Sequence, residues 1–330
     1  MHNRIVRLDG GEEGYAMAAQ PLVYVHGAGP QQPAAAFKHE ADMILFGRDM
    51  PTTRVAHYAG VRWPPTGGGP AAAPNRVGRT RRVAAIRGSM EPQVSPAAAA
   101  AAIVDATLTA PRPRGTGAAA APPPPSPADV AAAKRLVSQL YRRADHVASH
   151  SAMVRPPGAA LGPTFPDPIF RFIVGKFATD VIDYLYGPWT EAMRAPVRQA
   201  LLKSPHPKVI VAHSLGTIVL YDVLSEPAFA GFAIDLLVTV GCPLGIGNVQ
   251  QRLRNGAGRP NPVPKPLHAW SNFADRFDPV ALEATLRDEF DPPRDFAVDA
   301  SVNNAARNNH DLPGYLQVGL VQSAIVAAAG

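Results

Sequence analysis

Apolar residues along this chain are arranged in two ways. In one, short unbroken runs are closed off by turn residues. Leu22 to Val25 lies between Pro21 and the glycines Gly27 and Gly29, and reads as a buried strand. Arg54 to Trp63, with Val55, Tyr58, Val61 and Trp63, reads as a second strand. From residue 207 the runs alternate with helical spacing. Lys208 to Ala212, Leu236 to Val240, Leu267 to Phe273 and a short Phe296 to Val298 are predicted strands; Leu215 to Leu224 and Tyr315 to Ala329 are predicted helices. Unbroken apolar strands alternating with helices predict a mostly parallel sheet covered on both faces. Ligand sites in such sheets form beyond the carboxyl ends of the strands.

The second arrangement is helical spacing without strands. Ser126 can cap a helix that has Pro127 at its first position and Asp129 at its third, and Val130, Val137, Leu140, Tyr141, Ala144 and Val147 then recur on one face. A further helix is predicted over Ala178 to Leu202, with a break near Gly187-Pro188. Residues 64–128, from PPTGGGPAAAP to AAAAPPPPSP, hold too little branched or aromatic surface to offset their ordering entropy. They read as a flexible insertion with one alanine-rich helix around 97–108. The organisation predicted is a single α/β domain over 1–330, with that insertion and a helical connector or lid at 129–205.

Composition changes this picture little. With 330 residues, 46% of them hydrophobic, the chain can bury a large core. Its one cysteine, Cys242, excludes an internal disulfide. The first twenty residues hold no basic stretch followed by an apolar core, and runs such as Ala97 to Val104 are too short to cross a bilayer. The expectation is a soluble, cytoplasmic protein. The net charge of +6 includes the cluster Arg76, Arg79, Arg81, Arg82 and Arg87. No aromatic residues are interleaved there to stack on bases, so it reads as a solvated basic segment rather than a nucleic-acid surface.

Candidate chemistry concentrates in KVIVAHSLGTIVLYDVL. An apolar strand runs into Ala212-His213-Ser214-Leu215-Gly216 and straight on into an apolar helix. A nucleophilic serine on a strand-to-helix turn needs this order, with small residues two before and two after it so that the turn can close. Ala212 and Gly216 supply them. The backbone N–H groups of Leu215 and of Ala28, in the loop of VYVHGAG, are the candidate oxyanion donors. The stretch Asp275-Arg276-Phe277-Asp278-Pro279 offers two acids at a strand end. Asp278 is favoured because Pro279 can begin the next element, with Asp275 in reserve. Of ten histidines, only His310 follows Asp278, so it is the candidate general base.

With VYVHGAG and AHSLG, the blocks LLVTVGCPLG, WSNFADRFDPV and NNHDLPGYL resemble bacterial α/β-hydrolases of the lipase and esterase type. The resemblance covers residues 21–63 and 170–330. It implies a Ser214, Asp278, His310 triad and a carboxylic ester hydrolase acting on small or lipid-like acyl esters through an acyl-serine. Cys242 departs from it, where relatives often carry serine. An acyltransferase using the same residues, or a catalytically silent scaffold of the same fold, are the alternatives.

No cofactor is expected. HExxH, CxxC, Walker and dinucleotide patterns are missing, and His146 and His150 form a lone i,i+4 pair read as a helix face rather than a metal site. The aromatic-rich stretch 165–189, with Phe165, Phe170, Phe172, Phe177, Tyr184, Tyr186 and Trp189, reads as core or as the wall or lid of an acyl pocket.

Overall fold

In β1 (Leu22–Val25) alternate side chains enter two different cores: Val23 and Val25 face one way, Leu22 and Tyr24 the other. This is the two-residue period of a strand buried between layers. The computed structural model describes residues 21–62, 75–91, 93–109, 123–153, 168–204, 209–253, 261–292, 296–304 and 308–329. Among these residues seven more strands lie further along: β2 (Thr53–Ala56), β3 (Val209–His213), β4 (Leu236–Val240), β5 (Asn261–Pro262), β6 (Trp270–Asp275), β7 (Phe290–Asp291) and β8 (Phe296–Val302). Six strands form one sheet in the order β2-β1-β3-β4-β6-β8, with every neighbouring pair parallel. β5 and β7 pair separately. The α/β class and the parallel sheet expected from the sequence are those of the structure.

Eleven α-helices accompany the strands among the described residues. They are α1 (Ala34–Phe46), α2 (Ala59–Arg62), α3 (Asn75–Ser89), α4 (Pro96–Leu108), α5 (Pro127–Met153), α6 (Pro168–Leu185), α7 (Thr190–Lys203), α8 (Leu215–Leu224), α9 (Gly247–Gln250), α10 (Leu312–Leu316) and α11 (Gly319–Ala329). One face of the sheet is covered by α1, α10 and α11, through Phe37, Leu45, Leu316 and Ile325 among others. The opposite core takes side chains from α3 to α8. The capping signal at α5 is satisfied reciprocally. The Ser126 amide and hydroxyl donate to Asp129 Oδ2 (3.0 and 2.7 Å), and the Asp129 amide donates to Ser126 Oγ (3.1 Å).

Several expectations shift. The strand read over Arg54 to Trp63 stops at Ala56, because the Tyr58 and Ala59 amides donate to His26 Nε2 instead of to a neighbouring strand. Trp63 lies outside the described residues. The strand read from Leu267 begins at Trp270, and the last helix is two pieces, α10 and α11. The helix read over Ala178 to Leu202 already begins at Pro168, and a break does fall beside Gly187-Pro188.

Within 64–128, read as flexible, the described residues form two packed helices. α4 occupies the place of the expected alanine-rich helix, and buries Ala99, Ala100, Ile103 and Val104; Ile86 of α3 joins the same core. Small alanine side chains let helix axes approach closely, so this segment buries surface without bulky residues. Arg171 of α6 ties the arrangement together. Its Nε and Nη2 donate to the two oxygens of Asp145 (2.7 Å each), while Nη1 donates to the carbonyls of Ser89 (3.1 Å) and Val94 (2.9 Å) between α3 and α4. Residues 63–74 and 110–122 lie outside the described ones.

Candidate active site

The chain leaves β1 for β2 at one edge of the sheet and then returns to β3 on the other side of β1, so the strand order reverses between β1 and β3. A crevice opens at such a point beyond the carboxyl ends. Ser214 stands there, between β3 and α8. Its φ of 55° and ψ of −130° make it the one non-glycine residue with positive φ among the described residues. A conformation of this kind costs on the order of 1–3 kcal/mol and persists only where its surroundings impose it. Gly216 is one of those surroundings. A Cβ there would lie 2.3 Å from the His26 carbonyl oxygen and 2.8 Å from that of Val25, so only glycine lets the elbow sit against the end of β1.

The structure brings Ser214, His310 and Asp278 together. His310 Nε2 is 2.7 Å from Ser214 Oγ, and its Nδ1 is 2.8 and 2.9 Å from the two oxygens of Asp278. A carboxylate only accepts, so Nδ1 carries the proton and Nε2 is left to accept from the serine hydroxyl. Asp278 is fully buried and also accepts from the amides of Val280 (2.7 Å) and Ala281 (3.2 Å) and from the Tyr315 hydroxyl (2.8 Å). Burial alone would push its pKa up. The adjoining His310 and the donated hydrogen bonds outweigh that and hold the carboxyl below its usual range. Gly241, with φ of 56°, passes over this contact. A Cβ there would lie 2.9 Å from Asp278 Oδ2 and 3.1 Å from His310 Nδ1.

Asp275, the reserve acid, has a different place. It is fully buried, and accepts from the amides of Phe277 and Asn304 (2.8 Å each) and from Asn309 Nδ2 (3.3 Å). It therefore holds the asparagine-rich loop that presents His310. Tyr315 joins the two acids, since its hydroxyl accepts from the Asp275 amide (2.8 Å) while donating to Asp278. No sequence pattern singles Tyr315 out.

Loop geometry around the two candidate oxyanion donors is well defined. His26 is fully buried. Its Nδ1 donates to the Gly27 carbonyl (2.8 Å), its Nε2 accepts from Tyr58 and Ala59 (3.0 and 3.2 Å), and burial lowers its pKa to about 3. The Tyr58 hydroxyl donates to the carbonyls of His26 (2.7 Å) and Gly27 (3.2 Å). The amides of Ala28 and Leu215 donate to no described residue. A third donor of this region does: the Gly29 amide reaches Asp180 Oδ2 of α6 at 2.6 Å.

A cleft of about 460 Å³ opens over Ser214 and His310, with Ala28 and His213 on its walls. Phe37 and Ile44 of α1, Phe172, Ile173 and Phe177 of α6, and Leu312 and Leu316 of α10 give it apolar sides; Lys176, Glu40 and Asp311 add charge. The aromatic-rich stretch is thus divided. Phe170, Tyr184 and Trp189 are core, Phe172 lines the cleft, and Phe177 belongs to both. His213 is half-buried by surface yet well enclosed by protein. Its Nε2 donates to the His310 carbonyl (2.8 Å), and burial, followed by the proximity of His310, lowers its pKa to about 3. Cys242 is buried with its thiol donating to Thr217 Oγ1 (3.3 Å), and burial raises its pKa to about 12, which makes it a poor nucleophile.

Among the described residues, no three His, Cys, Asp or Glu side chains are grouped as metal ligands. The His146 and His150 rings lie 4.0 Å apart on an exposed face of α5. No described helix is long and apolar enough to cross a membrane. In comparison with known proteins, the chain matches no family model, no curated protein and no solved structure.

Proposed function

We propose that this protein is a serine hydrolase of the α/β-hydrolase type that cleaves carboxylic esters through an acyl-serine intermediate. The observation that carries the reading is the continuous Ser214–His310–Asp278 hydrogen-bond chain on a strained strand-to-helix turn. His310 Nε2 takes the hydroxyl proton as Ser214 Oγ attacks the ester carbonyl carbon. Asp278 fixes the tautomer and stabilises the imidazolium. The developing oxyanion is met by the N–H groups of Ala28 and Leu215. Collapse of the tetrahedral adduct expels the alcohol, which receives the proton from His310. Water then repeats the sequence on the acyl-serine and returns the free acid. The apolar walls around Phe37, Phe172 and Phe177 suit an acyl chain.

A fluorophosphonate probe is expected to label Ser214, and p-nitrophenyl esters of graded chain length to turn over, with Ser214→Ala abolishing both. An adduct mapped by mass spectrometry to another serine would refute the assignment. A folded wild type with neither label nor turnover would favour a silent scaffold.

A further inference from the structure

The Gly27–Ala28–Gly29 loop has two consecutive peptide planes, and both are held. The first has its carbonyl, that of Gly27, fixed by His26 Nδ1 and the Tyr58 hydroxyl. A trans peptide is planar, so the direction of the Ala28 N–H follows that oxygen, which keeps its place only while Ala28 is also held from its C-terminal side. The second plane is held at both ends. Gln31 Nε2 donates to the Ala28 carbonyl at 3.0 Å, and the Gly29 N–H donates to Asp180 at 2.6 Å. Gly29 has a φ of 85°, where a glycine has no side-chain barrier to rotation. Its conformation therefore depends on these two contacts.

From this we infer that Asp180, with Gln31, is a positioning residue that clamps the Ala28–Gly29 peptide and so keeps the Ala28 N–H aimed at the oxyanion. The inference rests on the hydrolase reading above. Asp180 is 2% exposed and stands 151 residues along the chain from Gly29, so the clamp joins α6 to the loop after β1. A carboxylate suits the task because it only accepts, and an accepted backbone N–H cannot be exchanged for a donor by a side-chain flip. Its charge would disfavour an oxyanion nearby. Lys176, one helical turn earlier on the cleft wall, supplies the opposite charge, with its Cε 3.6 Å from where a Gly29 Cβ would stand.

The test compares wild type, D180A, D180N and Q31A with p-nitrophenyl butyrate and with an aryl trifluoromethyl ketone, whose hemiketal oxyanion occupies the oxyanion site. Losing an oxyanion donor costs about 10²–10³ in kcat, and a donor left mobile should approach that. D180A is expected to lose about 30–300-fold in kcat with KM within about twofold, and the ketone Ki should rise by the same factor. D180N keeps an acceptor and should stay within about tenfold of wild type. Q31A, partly exposed and so tolerant of truncation, should lose about 3–10-fold in kcat with Ki rising in step; it decides the matter if D180A fails to fold. An active wild type with D180A or Q31A unchanged in kcat, or changed only in KM, would overturn the clamp alone. A D180N as damaged as D180A would also overturn it, since charge rather than the accepted bond would then be responsible. A wild type with neither turnover nor fluorophosphonate label would overturn the hydrolase reading and the clamp together.

Discussion

Tyr315→Phe removes a single oxygen that serves both aspartates. That oxygen donates to Asp278 and accepts from the Asp275 amide, each at 2.8 Å, in a fully buried setting. The substitution brings two losses. Asp278 forfeits a hydrogen bond to a charged acceptor, worth about 1.5–3 kcal/mol, and the Asp275 N–H is left unsatisfied at about 1–3 kcal/mol. Both act through one atom and the loop can relax, so the expected total is roughly 2–4 kcal/mol. With about 2.1 cal/mol/K of unfolding entropy per residue, that is a Tm drop of about 3–6 °C. The sign of the pH effect is also fixed. Asp278 titrates below its ordinary range in the fold, so its stabilising contacts are fully present above about pH 4 and are lost as pH falls through the folded pKa. The deficit of Tyr315→Phe should therefore shrink below pH 4 without vanishing, because the orphaned amide does not titrate. Urea unfolding of both proteins at pH 7 and pH 3 measures this. A deficit under about 0.5 kcal/mol at pH 7 would refute the bridging role. Since His310 keeps its contact with Asp278, kcat should fall by no more than about tenfold.

The two aspartates should separate cleanly. Asp278→Asn is expected to lower kcat by about 10⁴, beyond any loss of stability from the amide and Tyr315 hydrogen bonds that its buried carboxylate accepts. Asp275→Asn should instead destabilise by about 2–4 kcal/mol in urea unfolding, since its buried carboxylate accepts from two amides and Asn309; equal kcat losses in both would contradict this division. His26 and His213 stay neutral in the fold, with pKa values near 3, while the unfolded chain protonates them near 6.5. Their contribution is thus present above about pH 6.5 and lost as pH falls towards 3, by up to about 1.4 kcal/mol per unit for each group. His26→Gln should flatten stability between pH 7 and pH 5, and an unchanged slope would show that His26 titrates normally. Arg171→Lys keeps the charge but cannot span Asp145 and the α3–α4 carbonyls at once, so a loss of about 3 kcal/mol or more is expected; a loss under about 1 kcal/mol would mean that α3 and α4 are not anchored there.

The strands and the elbow are legible in the sequence because their signals are local. Val209–His213 and Leu215–Leu224 are apolar runs meeting at a small-residue turn, and their lengths and that turn separate strand from helix. Choosing Asp278 over Asp275 also rests on a local cue, the proline after it. The features that stay hidden depend on partners far apart in sequence. Tyr315 reads as one more core aromatic, and Asp180 as a polar residue in a helix, until the fold sets them against Asp278 and Gly29. The end of β2 escapes a local reading because the competitor for the backbone amides beyond it is a histidine 32 and 33 residues earlier. In the Pro/Ala/Gly-rich segment 64–128 the alanine-rich helix is legible but its packing against the core is not, for another reason. Composition measures how much apolar surface a segment carries, not how closely two helices can approach.

On the proposed reading, the separation of His310 from its partners bears on when Ser214 becomes reactive. Ser214 lies 96 residues before His310, and β1, β3, β4 and β6 are all translated before that histidine. At about 5–20 residues per second, a ribosome needs roughly 5–20 s to cover the interval. Throughout it the nascent chain can pair its inner strands and form the elbow, yet hold a serine with no base. On that reading chemistry is withheld until the segment carrying His310 docks, and any cut that removes His310 together with α10 and α11 would leave Ser214 without its base.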